Sequence, residues 1–186
     1  MARLSVFNHV SLDGYFVDAD GDMSWARTND AEWNIFAEQT VSRGGTLIFG
    51  RITHELMAGF WPTPFAAKSF PAVAERMNNL PKFVFSRVLD NVSWNNTTLL
   101  KGDLALEVRK MKAESDGNIV ILGSGSLVAQ LAPEGLIDEL MIVVNPIVLG
   151  NGRTIFEGVR EKLPLTLTRS RVFANGNLLL CYEPVS

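Results

Sequence analysis

Asn118-Ile-Val-Ile-Leu-Gly-Ser-Gly-Ser-Leu-Val128 is the stretch that decides the predicted fold class. Its apolar half is typical of a strand, and it runs through Gly123 and Gly125 directly into a helical segment. A helix start presents unpaired backbone N–H groups and the positive end of the peptide dipoles, and glycine lets a phosphate approach the backbone. The stretch therefore predicts a strand, an anion-binding turn and a helix in succession, which is typical of an α/β protein.

Two further apolar runs end in groups that bind phosphate. Thr46-Leu-Ile-Phe-Gly50 is followed by Arg51, and Lys82-Phe-Val-Phe-Ser86 is followed by Arg87. The planar guanidinium of arginine matches phosphate oxygens with two parallel hydrogen bonds. If the three strands lie side by side, their ends predict a nucleotide held across the carboxyl edge of the sheet.

Length and composition favour one domain, residues 1–186, and restrict the class of partner. The 186 residues carry a net charge of -3 and are 47% hydrophobic, which gives no general attraction to nucleic acid or to an anionic membrane. Cys181 is the single cysteine, so no intrachain disulfide forms, as is usual in a reducing cytosol. Asn8 and His9 interrupt the N-terminal apolar run, which is too short for a signal peptide. A cytoplasmic protein with a small-molecule ligand is expected.

The remaining patterns alternate between strand and helix before they become strand-only. Asn151-Gly152 and Asn175-Gly176 predict tight turns, and the second joins a closing antiparallel hairpin. The sheet is therefore expected to be parallel first and antiparallel in the last third. Strands are predicted at 4–10, 46–49, 82–86, 97–100, 140–144, 165–173 and 177–182. One helix is predicted to begin at Asp30, and further helices are predicted at 51–58, 67–78, 103–113 and 126–131. A long loop is predicted at 11–29.

Six motifs occur in a fixed order along nearly the whole chain and resemble the dihydrofolate reductase-like superfamily, most closely the reductase half of the riboflavin-biosynthesis deaminase-reductase. The motifs are Val10-Ser-Leu-Asp-Gly-Tyr-Phe, Phe49-Gly-Arg-Ile-Thr-His-Glu, Gly59-Phe-Trp-Pro, Val84-Phe-Ser-Arg, Leu122-Gly-Ser-Gly-Ser-Leu and Pro146-Ile-Val-Leu-Gly-Asn-Gly. The resemblance implies a three-layer fold in which helices lie on both faces of a mixed sheet with a parallel core and an antiparallel C-terminal hairpin. It also implies NADPH, a homodimer, and hydride transfer to a pteridine-like or pyrimidine-ribityl substrate.

The same resemblance implies a set of binding residues. Arg51 and Arg87 match positions that grip the adenosine 2′-phosphate, and together they predict a preference for NADPH over NADH of about a hundredfold to ten-thousandfold. The implied cofactor residues are Val10, Gly50, Arg51, Thr53, Ser86, Arg87, Gly123, Ser124, Gly125, Ser126 and Leu127. The implied substrate residues are Asn8, Asp13, Trp61, Asn145, Gly150 and Arg153.

Asp13 and Asp30 are the candidate catalytic carboxylates. Asp13 is placed to orient a substrate hydroxyl or amine, although Asp-Gly is also an ordinary turn pair. Asp30-Ala-Glu-Trp33 imitates the carboxylate of folate reductases, but helix capping is the simpler explanation of Asp30. Water is the alternative proton source.

No metal site is expected. Asp18, Asp20 and Asp22 imitate the start of a calcium loop, but Met23 and Asn29 replace the glycine and the glutamate that such a loop requires. Besides an NADPH-dependent reductase, two functions remain open: a non-catalytic dinucleotide-binding regulatory protein, and a flavin-binding protein that uses the same cleft.

Overall fold

An eight-stranded sheet runs through the computed structural model, which describes residues 1–27 and 30–185 and gives residues 41–44 by their backbone alone. Asn29, expected near the end of the first long loop, lies outside the described residues. The described strands are β1 (Leu4–Ser11), β2 (Tyr15–Val17), β3 (Gly44–Gly50), β4 (Lys82–Phe85), β5 (Thr97–Leu100), β6 (Asn118–Leu122), β7 (Glu139–Asn145), β8 (Arg153–Thr154), β9 (Leu165–Val172) and β10 (Leu178–Pro184). The described helices are α1 (Ala31–Arg43), α2 (Arg51–Phe60), α3 (Pro64–Ser69), α4 (Pro71–Asn79), α5 (Leu104–Glu114) and α6 (Gly125–Leu131).

The strand order of the large sheet is β5-β4-β3-β6-β1-β7-β10-β9. Every neighbouring pair from β5 to β7 is parallel, and β10 runs antiparallel to both β7 and β9. The mixed sheet with a parallel core and a C-terminal hairpin is thus confirmed. The expectation that the last third is wholly antiparallel was wrong for β7, because α6 returns the chain across the sheet and a helical crossover makes β7 parallel to β1.

Helices cover both faces of this sheet, as predicted. On β3 the side chain of Ile48 packs towards α5 and α6, whereas Leu47 and Phe49 pack against α4. On β7 the same alternation sends Leu140 to the first face and Met141 to α1. Because successive side chains of a strand point to opposite faces, these near-continuous apolar strands require a cover on each side.

Two local differences from the predicted elements have simple causes. The helix expected over 67–78 is divided into α3 and α4, because the Pro71 ring occupies the first position of α4 and has no N–H to continue a helix. The 11–29 loop contains β2, which pairs with β8 to make a separate two-stranded ribbon. This ribbon, β2–β8, folds over the carboxyl edge of the large sheet, where its residues line the cavity described below.

Lys82 opens β4 and is fully buried. Its ammonium group donates to three backbone carbonyls around the end of α4, those of Met77 (2.9 Å), Asn78 (3.1 Å) and Leu80 (2.7 Å), and it lies 4.6 Å from the centre of the Trp94 ring. Burial lowers the pKa of Lys82 to about 8. The lysine thus caps a helix that walls the site, since carbonyls at a helix end otherwise lack donors.

Within the described part of the chain, no helix is long and apolar enough to cross a membrane.

Candidate active site

A cavity of about 820 Å³ lies along the carboxyl edge of β1, β3, β4 and β6. Helices α1, α2 and α4 and the ribbon β2–β8 supply its walls. A volume of roughly 300–1,000 Å³ with mostly apolar walls is usual for a cofactor or substrate pocket. Its position outside the carboxyl ends of parallel strands is where α/β sheets bind their ligands.

The three strand-end junctions predicted from the sequence meet in this cavity. Gly50 at the end of β3 with Arg51 after it, Ser86 after β4, and the turn 123–126 after β6 all line it. The junctions after β3 and β6 are also bonded to each other, because the Ser124 hydroxyl accepts from the Gly50 N–H at 2.7 Å and donates to Thr53 Oγ1 at 3.1 Å. Ser124 and Thr53 are both buried, so their hydroxyls hold these two junctions together.

The glycines of the turn 123–126 are required by close packing. Gly123 has a φ of +60°, and a Cβ there would lie 2.9 Å from Thr53 Oγ1. A Cβ on Gly125 would lie 3.0 Å from the carbonyl oxygen of Ile155. The turn therefore brings β6 against α2 and against the segment that follows β8, which closes this end of the cavity.

The remaining cofactor residues divide by position. Arg51 lines the cavity, and its guanidinium pairs with Glu55 at 3.0 Å, one helical turn further along α2. Ser126 also lines it. Arg87 is exposed beyond the end of β4 and is not among the described lining residues. Val10 and Leu127 are buried and do not line the described cavity either.

Among the substrate residues, Asn8, Trp61 and Arg153 line the cavity. The amide Nδ2 of Asn8 is buried and has no hydrogen-bond partner among the described residues, so a donor is left for a ligand in the cavity wall. Asn145 and Gly150 do not line the cavity in the part of the chain described.

Asp13 fixes a loop instead of facing the cavity. Its carboxylate accepts from the Ser11 hydroxyl (2.6 Å) and from the backbone N–H groups of Leu149 (3.1 Å) and Gly150 (2.7 Å). The Ser11 hydrogen bond, followed by the two backbone bonds, lowers the pKa of Asp13 to about 2. A carboxylate that stays ionised and holds the loop leading to Arg153 orients the site and does not supply a proton to it.

Asp30 caps α1. Its Oδ1 accepts from the Trp33 backbone N–H at 2.8 Å, and Asp30 is not one of the described residues that line the cavity. The capping alternative therefore explains its position, and the structure does not bring this carboxylate to the cavity.

Two lining residues are not among the site residues expected from the sequence. The Arg27 guanidinium lies 4.5 Å from the centre of the Phe60 ring at the cavity wall. His9 lies between Phe7 and Trp33, and burial, opposed by a hydrogen bond from Asn145, lowers its pKa to about 4. The only available signal was the position of His9 near the carboxyl end of the first strand, where site residues collect.

The strand order, the cleft at the strand ends and the helices on both faces define a dihydrofolate reductase-like fold. Dihydrofolate reductase of Enterococcus faecalis, complexed with NADP(H) and RAB-propyl, has the same fold, with a TM-score of 0.66 at 18% identity over 99% of this chain and 97% of that one. The chain belongs to the RibD C-terminal domain family, whose model matches residues 2–179. It is therefore a member of a reductase-type family.

Two other relatives extend over nearly the whole chain. The "Putative riboflavin biosynthesis protein" of Shewanella sp. PV-4 is 26% identical, with a TM-score of 0.77, and each chain is covered completely. The "Uncharacterized protein YyaP" of Bacillus subtilis (strain 168) is 25% identical over 175 residues, which are 94% of this chain and 90% of that protein.

Proposed function

We propose that the protein is an NADPH-dependent reductase that transfers a hydride to a small pteridine-like, pyrimidine-like or carbonyl substrate. The observation that carries the proposal is the convergence of three phosphate-type junctions, at Gly50–Arg51, Ser86 and 123–126, on one cavity with aromatic walls. Phosphate groups fit the strand-end junctions of such a cavity, and flat rings fit its aromatic walls.

The residues of the cavity fit a phosphorylated dinucleotide. Arg51 and Ser126 provide a cation and a hydroxyl for its phosphates, and the unpartnered amide of Asn8 provides a hydrogen bond for a polar group on a ring. A reduced nicotinamide, when bound, supplies a hydrogen with two electrons to the substrate. Trp61 and Phe60 lie at 5.0 Å between ring centres and give a planar substrate an apolar wall.

The proposal is tested by titrating NADPH and NADH against the wild type and Arg51→Ala. One charge-assisted hydrogen bond is worth roughly 1.5–3 kcal/mol, so the variant is expected to lose about 10- to 150-fold of the NADPH preference. Arg87 lies outside the described cavity lining. The preference of the wild type for NADPH over NADH is therefore expected to be smaller than the value predicted for two arginines. Arg109→Ala is the control, because Arg109 is exposed on α5 and pairs with Glu134 at 2.7 Å. An unchanged preference in Arg51→Ala removes Arg51 from the site.

A non-catalytic protein that binds a dinucleotide or a flavin is the second candidate. It is favoured by the placement of the two predicted catalytic carboxylates, since Asp13 holds a loop and Asp30 caps a helix. NADPH binding without oxidation over dihydrofolate, the diaminopyrimidine intermediate of riboflavin synthesis and simple quinones would favour this candidate. A yellow purified protein would favour the flavin.

We also propose that the protein is a cytoplasmic homodimer whose ligand is a small molecule rather than a nucleic acid or a membrane. The net charge of -3 and the single cysteine support the compartment and the ligand class. The edge strand β9 supports the dimer, because all eight of its residues are exposed and it pairs with β10 alone among the described strands.

A further inference from the structure

His9 occupies a position that the sequence reasoning did not assign to the chemistry. It lies on β1, and its side chain lines the cavity at the strand ends. The ring is held by edge-on contacts with Phe7, at 5.7 Å between centres, and with Trp33, at 5.1 Å. The imidazole is therefore fixed in orientation by the sheet and by α1.

Asn145 fixes the position of the imidazole proton. Its amide Nδ2 lies 3.2 Å from the Val10 carbonyl oxygen, 3.1 Å from the Val143 carbonyl oxygen and 3.2 Å from Nδ1 of His9. Two carbonyl oxygens require a donor, so the amide nitrogen and not its oxygen faces them. The amide has two N–H groups for these three neighbours and cannot accept a hydrogen bond at nitrogen, so a proton on Nδ1 of His9 would point at a donor and have no acceptor. The ring proton is consequently on Nε2.

The Nε2–H group is left for a ligand. Within the described residues, His9 makes no hydrogen bond other than the one with Asn145, and its ring is partly open to the cavity. The pKa of His9, lowered to about 4 by burial, keeps the ring neutral at physiological pH. Asn145 itself is buried and is not among the described lining residues, so it acts on the cavity only through His9.

We infer that neutral His9 donates a hydrogen bond from Nε2 to the oxygen or nitrogen of a substrate C=O or C=N group, and that Asn145 is the positioning residue that sets its tautomer. The inference rests on the proposed reductase function. During reduction the carbon gains a hydrogen with two electrons, the π electrons of the double bond move to the oxygen or nitrogen, and that atom takes its proton from water. His9 keeps its own proton and stabilises the developing negative charge, so the reaction needs no carboxylic acid.

The tautomer is tested independently of activity by ¹⁵N NMR of the histidine rings. The chain has two histidines, and the His54→Phe variant assigns the spectrum to His9. We expect an unprotonated Nδ1 and a protonated Nε2 in His9 from pH 8 down to about pH 5, and a tautomer mixture in Asn145→Ala. A proton on Nδ1, or a charged ring at pH 7, would overturn the inference whether or not the protein turns over.

The catalytic role is tested in the wild type on the substrate panel named above. His9→Phe is expected to lower kcat roughly 100-fold with the KM for NADPH unchanged, since one lost donor to a developing anion has an effect of this size. His9→Gln, which retains an N–H donor, should recover part of the rate. His54→Phe is the matched control, because His54 is buried outside the described lining and should stay within about twofold.

The failure of this inference differs from the failure of the proposed function. If the wild type oxidises NADPH and His9→Phe stays within twofold in kcat, His9 is not the donor although the protein is a reductase. If the wild type reduces no substrate, the proposed function fails together with the catalytic role of His9. The NMR result then decides only whether Asn145 sets the tautomer.

Discussion

At the scale of single residues, the Arg51 guanidinium is held by a carboxylate of its own helix. Glu55 lies one turn further along α2 and pairs with Arg51 at 3.0 Å, and both side chains are more than 40% exposed. An exposed pair of this kind is worth only about 0–1 kcal/mol. A phosphate at the strand end would therefore compete with Glu55 for the same guanidinium.

Removing the competing charge is expected to strengthen NADPH binding. Glu55→Gln keeps the length of the side chain and should raise the affinity for NADPH by up to about fivefold, with a smaller effect on NADH. Fluorescence titration measures both constants. Glu134→Gln is the control, because it frees Arg109 on another helix. Equal effects of the two substitutions would argue against a phosphate at Arg51.

His9 should make stability depend on pH in the mildly acidic range. Its pKa is about 4 in the folded protein and near 6.5 when unfolded, so the unfolded chain binds the proton first. The stability is present in full above pH 6.5 and is lost as the pH falls towards 4. The loss is less than about 3 kcal/mol, because the ring is partly open to the cavity. Urea unfolding of the wild type and His9→Phe at pH 7 and 4.5 measures it, and an equal acid loss in both would contradict the prediction.

At the scale of elements, the ribbon β2–β8 is a cavity wall built from two segments that lie far apart in the sequence. Asp13 holds the segment before β8 through the N–H groups of Leu149 and Gly150. Gly152 enters β8 with a φ of +152°, and a Cβ there would lie 2.1 Å from the Val17 carbonyl oxygen of β2. Only glycine lets these two backbones lie this close.

Gly152→Ala should accordingly separate the ribbon from its partner strand. We expect a loss of more than about 2 kcal/mol of unfolding free energy, measured by urea unfolding. Gly59→Ala is the matched control, because a Cβ there meets nothing within 4 Å inside α2. In a helix, that change should leave stability unchanged or raise it by up to about 1 kcal/mol. Equal stabilities of the two variants would show that the ribbon can shift.

At the scale of the whole molecule, one edge of the large sheet is open. In β9 the exposed fraction is 51% at Leu167 and 74% at Val172, and no described strand pairs with its outer edge. An eight-residue edge with free N–H and C=O groups is a template for another strand. A second copy of the chain, paired antiparallel along β9, would satisfy these groups by two-fold symmetry.

The dimer is tested by sedimentation. The wild type is expected to sediment as a dimer, and Leu167→Lys should shift it towards the monomer, because a charge is placed in the contact. Leu106→Lys is the control, since Leu106 is 65% exposed on α5, the helix that connects β5 to β6, and is not part of the β9 edge. A monomeric wild type would refute the homodimer. If Leu167→Lys leaves the dimer unchanged, the two copies do not pair along β9.

Local pattern was sufficient for most elements and for the edge of the sheet where the site lies. The run 118–128 predicts β6, its turn and α6 because each depends on neighbours in sequence. The division at Pro71 was readable from the missing N–H and was overlooked. The pairing of β2 with β8 was not readable, since it joins residues more than 130 positions apart through backbone groups that carry no sequence signal.

Residue order alone specifies the alternation of strands and helices, the glycine and arginine residues at the strand ends, and the family resemblance that these motifs carry. Which polar side chains face the cavity depends on how the chain folds. Ser124 is bonded to Gly50, and Asp13 to Gly150, whereas His9 and Asn8 line the cavity. The reason is that a side chain chooses its hydrogen-bond partners among groups brought near by folding, and burial makes each choice obligatory.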